Sequence, residues 1–102
     1  MGKTTERPPA TIRILGLTYA IDVVDTAKSG DDTLGTMVPG RARITLCSTN
    51  SPEMLASVLV HEIVEALNWR LELKLKHRQI SALDAGLTQV LRDNPGLVKF
   101  LG

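Results

Sequence analysis

Apolar and polar positions alternate from Thr11 onward: Ile12 and Ile14, then Gly16, then Tyr19, Ile21 and Val23, with polar or small residues between. A period of two is the signature of a strand with one buried face. Gly16 marks a tight connection, so the pattern predicts a hairpin with strands near 10–15 and 18–24. Residues 1–10 are polar and carry Pro8-Pro9, which predicts a flexible arm ahead of one domain over 11–102. Residues 25–40 are rich in Gly, Asp, Ser and Thr and close on Pro39-Gly40, which predicts a long exposed loop. Alternation then resumes from Arg41 to Cys47, with Ala42, Ile44 and Leu46 set against Arg41, Arg43 and Thr45. That is a third strand, with one covered face and one wet or edge-like face.

After Ser51 the period changes. Ser51 suits an N-cap, Pro52 the first helical position, and Glu53 the positive end of the helix dipole. No proline or glycine interrupts Pro52 to Lys76, so a helix is expected over about 52–73, its end blurred by the alternation of Leu71, Leu73 and Leu75. A second helix is expected over about 78–92, with Ile80, Leu83, Leu87 and Val90 on one stripe. Asn94-Pro95-Gly96 stops it, and Leu97–Leu101 forms a short apolar tail able to dock as a last turn. The order β-β-loop-β-α-α makes an α+β domain, a small sheet of about three strands on a helical hairpin.

Composition narrows the function classes. A chain of 102 residues supports one modest core, and with only Phe100, Trp69 and Tyr19 as aromatics that core must be largely aliphatic. The formal charge of +1 gives no field to attract nucleic acid or an acidic membrane surface. No apolar run approaches the roughly 18 residues of a membrane span, and Cys47 alone cannot form an internal disulfide. A cytoplasmic protein is the expectation. Lys74, Lys76 and Arg78 cluster, but without interleaved aromatics they read as a solvated helix end and not as a DNA-binding module.

The chemistry-bearing stretch is His61-Glu62-Ile63-Val64-Glu65. It differs by one residue from the zinc-hydrolase signature H-E-x-x-H. Residues four apart on a helix project from one face, about 5–6 Å between Cβ atoms, so both can hold one metal ion. The residue after the first ligand then stands where a general base is needed. At 100° per residue, Ser57, His61, Glu65, Asn68 and Glu72 form a polar stripe, which in the plainest reading is a solvated helix face. Glu62 falls instead on the margin of the apolar side near Leu55, Val58, Ala66 and Trp69. It is either a base beside a metal or a boundary glutamate reaching water through its methylenes. A catalytic zinc site needs three protein ligands. His61 and Glu65 supply two, and His77, the only other histidine, is the candidate third, with Asp84 and then Glu72 in reserve. His77 can serve only if the first helix ends early or the chain turns back, because a helix reaching 73 carries its end roughly 12 Å beyond Glu65.

The run Val60-His61-Glu62-Ile63-Val64-Glu65-Ala66-Leu67-Asn68, then His77, Gln79-Ile80, Ala85-Gly86-Leu87 and Arg92-Asp93-Asn94-Pro95, resembles small zincin-like proteins of phage and prophage genomes, minimal relatives of the gluzincin metallopeptidases. The likeness covers roughly residues 11–95. It implies a zincin-like fold, with His61, Glu65 and His77 as ligands of Zn²⁺ and Glu62 as catalytic base. It also implies a peptide or protein substrate aligned along an edge strand, here Arg41 to Cys47. The departure is Glu65, where the peptidase signature has histidine, and it bears on catalysis more than on metal binding. The expected function is therefore a zinc-dependent metallopeptidase-like protein, with a non-catalytic, phage-related protein-binding domain of the same fold as the alternative.

Overall fold

A computed structural model of the chain describes residues 8–25, 35–48 and 51–102. The alternating segments form one mixed sheet of four strands in the order β1-β2-β4-β3: β1 Thr11–Ile14, β2 Leu17–Val24, β3 Gly35–Val38 and β4 Arg43–Cys47. With the helices beyond it this is the expected α+β arrangement. β1 and β2 pair antiparallel, with Ile14 opposite Leu17. Leu15 (φ 51°) and Gly16 (φ 82°) turn between them, both left-handed as a two-residue primed hairpin turn requires. Glycine adopts that conformation at little cost, whereas Leu15 is strained. The Arg70 guanidinium offsets some of that strain by donating to the carbonyls of Ile14 (2.7 Å) and Leu15 (3.1 Å). The arm expected over 1–10 lies mostly outside the described residues, and the Ala10 carbonyl already accepts from Ile21 at 2.8 Å.

Two expectations need correction. The loop expected over 25–40 contains β3, which pairs antiparallel with β4. Four residues hemmed in by Gly35 and Pro39 are too few for alternation to show. Its remainder, 26–34, lies outside the described residues. The strand expected over 41–47 starts at Arg43, because Arg41 closes a 3-10 turn (Pro39–Arg41) and Ala42 takes φ 48°. More importantly, β4 is interior: it runs parallel to β2 on one side and antiparallel to β3 on the other. Alternation reports which face is covered, and Ile44 and Leu46 are indeed fully buried. It carries no information about how many strands flank the segment. Among the described residues, the edge beside β4 is β3.

The covered face packs on α1, Pro52–Leu71, through Ile14, Tyr19, Ile21, Ile44, Leu46, Val58 and Ala66, with Leu55, Leu59, Ile63 and Leu67 around them. Ser51 caps α1, its Oγ accepting from the Met54 N–H at 3.2 Å. The helix stops at Leu71, two residues short of expectation. Glu72 takes the left-handed conformation that glycine usually supplies at a helix end (φ 52°), and the Leu73 N–H returns to the Asn68 carbonyl at 3.0 Å. The Asn68 side chain then accepts from the Leu75 N–H at 2.8 Å. The leucine alternation that blurred the helix end belongs to this non-helical link over 73–76.

α2, His77–Asp93, begins where the Gln79 side chain accepts from the Lys76 N–H at 2.7 Å. Arg92 donates to the Glu53 carbonyl at 3.1 Å, so α2 runs antiparallel to α1. The expected apolar stripe of α2 is only partly buried. Ile80 is buried, but Leu83, Leu87 and Val90 are 39–47% exposed. The inward face carries Ile80, Ser81, Asp84 and Thr88 instead, because it meets the polar stripe of α1. The apolar tail is a short helix, α3 (Pro95–Leu101), none of whose side chains is buried.

Candidate metal centre

Closure of α2 over α1 turns the polar stripe of α1 into an interior seam. His61 and Glu65 stand one turn apart, with side chains only 20% and 31% exposed, and Nε2 of His61 lies 3.4 Å from Oε2 of Glu65. The early stop of α1 and the link over 73–76 bring His77, the first residue of α2, back to them. The two imidazoles meet edge-to-face with centroids 5.5 Å apart. One donor atom from each of His61, Glu65 and His77 lies within 4.8 Å of the others. The axial distance that made His77 doubtful is thus cancelled by the turn.

Asp84, the first reserve ligand, does something else. Two turns into α2, its Oδ2 is hydrogen-bonded to Nδ1 of His61. An ionised carboxylate only accepts, so in the metal-binding tautomer of His61 the proton would sit on Nδ1 and Nε2 would be the atom turned toward Glu65. A metal-binding imidazole is commonly held this way. Replacing Asp84 by Asn should weaken metal binding by about 10–100-fold while far-UV circular dichroism stays native, a result read by competition with a chromogenic chelator. Glu72, the second reserve, is not part of the group: as the cap of α1 it lines a separate depression with Asn68, Trp69, Arg70 and Lys74.

Glu62 is 6% exposed. That removes the reading of a boundary glutamate extended into water. It lines a cleft of about 330 Å³ together with His61, His77, Asp84, Met54, Ser57 and Val58. Burial pushes its carboxyl up to about 7, Glu65 and Asp84 push the same way, and His61 opposes them. A carboxyl that holds a proton more tightly when folded stabilises the fold below its unfolded pKa, 4.5, and loses that contribution as pH rises through 7. Each pKa unit is worth about 1.4 kcal/mol, so the loss is on the order of 3 kcal/mol. In chelator-treated protein, stability measured by urea unfolding should therefore fall between pH 4.5 and 7. Glu62→Gln should flatten that slope; an unchanged slope would assign it to other groups.

The donor types suit a transition metal such as zinc. Two imidazoles and one carboxylate match the His₂Glu composition of known zinc hydrolases, and neighbouring donors on a tetrahedral zinc stand about 3.3 Å apart, close to the 3.4 Å between His61 and Glu65. Calcium and magnesium prefer sites made of oxygens. The near-match to H-E-x-x-H brought His61, Glu62 and Glu65 to notice; Asp84 as a partner of His61 depends on the register between two helices, which no local pattern encodes. Comparison with protein-family models, with curated proteins and with solved structures finds no match to this chain.

Proposed function

We propose that this chain is a zinc-dependent, metallopeptidase-like hydrolase. The observation that carries the reading is the convergence of His61, Glu65 and His77 beside a buried carboxyl, Glu62, in one cleft. Zinc held by those three side chains would supply Lewis acidity, polarising a peptide carbonyl and acidifying water. The protein's own groups divide the remaining work. Glu62, with a pKa raised to about 7, is poised to take a proton from the attacking water and pass it to the leaving amine. Asp84 fixes the ring of His61. Met54 and Val58 give the cleft an apolar side. An extended peptide cannot add to β4, whose two edges are both paired, so the aligning role passes to β3, Gly35–Val38, the edge that also packs against α1.

Protein purified without added zinc or a histidine tag should contain about one zinc per chain by elemental analysis. A metal-free preparation that also shows no zinc uptake in calorimetry would overturn the proposal, and the fold would then stand as a non-catalytic binding domain. No helix among the described residues is long and apolar enough to cross a membrane.

A further inference from the structure

The outward side of α2 and all of α3 are more apolar than a monomer requires. Leu83, Leu87 and Val90 follow a four-then-three spacing, the seam pattern by which one helix packs into the grooves of another, yet no element among the described residues covers them: they are 47%, 44% and 39% exposed. α3 adds Leu97, Phe100 and Leu101, with Phe100 85% exposed. These six side chains expose on the order of 600 Å², at the upper end of the apolar patches of ordinary monomers and, with a polar rim, near the roughly 800 Å² per partner of a standard interface. Within the seam, a Cβ at Gly86 would meet nothing within 4 Å. Its helix cost, about 1 kcal/mol against alanine, returns nothing in the isolated chain. The segments outside the described residues (1–7, 26–34 and 49–50) contain only Met1, Ala27 and Leu34 as apolar residues.

We infer that this stripe is the interface of a homodimer, in which α2 and α3 of one copy pack against α2 and α3 of a second. A second copy supplies a helix of matching seam spacing and length, and a chain of net charge +1 meets little long-range repulsion from itself. Basic residues are too few around the stripe, Arg78, Arg92 and Lys99 with Asp93 among them, to favour a lipid surface. The inference does not rest on the zinc reading, because none of the six side chains belongs to the cleft.

Sedimentation equilibrium of the full chain over low to high micromolar concentrations is the test. The mass should rise from one chain of 11.1 kDa to two. Leu83→Glu with Leu87→Glu should shift dissociation at least tenfold toward monomer, with helical circular dichroism and zinc uptake unchanged. If that variant loses helicity, Leu87→Gln and Phe100→Ser provide milder removals at exposed positions, each expected to weaken the dimer measurably. A wild-type chain that stays monomeric across the range, a dimer indifferent to all of these changes, or a monomer that instead binds lipid vesicles would overturn the inference.

Discussion

Glu62→Gln should keep the fold and the zinc, while any peptide cleavage falls by about 10²–10⁴-fold, the usual cost of removing a general base. The amide has nearly the same volume and suits the same buried position, but it cannot take a proton from water. Because Glu62 is not among the three converging donors, zinc affinity is the internal control. The readout is a peptide-library digest by wild type and variant at matched zinc content. Identical background cleavage by two zinc-loaded proteins would end the enzyme reading and leave a metal-bound scaffold. Burial, which pushes the Glu62 carboxyl up to about 7, disfavours its charged form, so a neutral amide at this position should be tolerated by the fold.

His77→Ala should reduce zinc affinity by more than the roughly 10–100-fold expected at a residue that only orients a ligand. His77 is the one donor contributed by α2, and with it gone His61 and Glu65 are left as a two-ligand site on one helix. Zinc should also cease to raise the melting temperature, since stabilisation by a ligand follows from its affinity for the native state. Comparing His77→Ala with Asp84→Asn separates the two roles, because both residues lie on α2 but only His77 is placed to donate to the metal. Equal losses in the two variants would mean that both act by holding α2 in register.

Much of this was legible in local patterns. Alternation in 11–24 and 43–47, the Ser51-Pro52-Glu53 helix start and the four-residue spacing of His61 and Glu65 each depend on neighbours in sequence, and each has its counterpart in the structure. What was not legible depends on partners far along the chain. The interior position of β4 is set by β2 and β3, and the bond from His61 to Asp84 joins residues 23 apart. The stop at Leu71 was hidden because Glu72 occupies a left-handed position without being glycine. The exposure of the α2 leucines was not legible for a related reason: an amphipathic stripe states that a helix seeks an apolar neighbour, but not where that neighbour comes from.

The polar character of the seam between α1 and α2 also sets a timescale. α2 buries just Ile80 and Thr88 among its side chains, so it is expected to open at a lower free-energy cost than the sheet, which amide hydrogen exchange would show as earlier exchange in 77–93. His77 and Asp84 leave together when it opens. Zinc bridging the two helices as proposed would hold α2 shut, so the ion's own binding would slow its release.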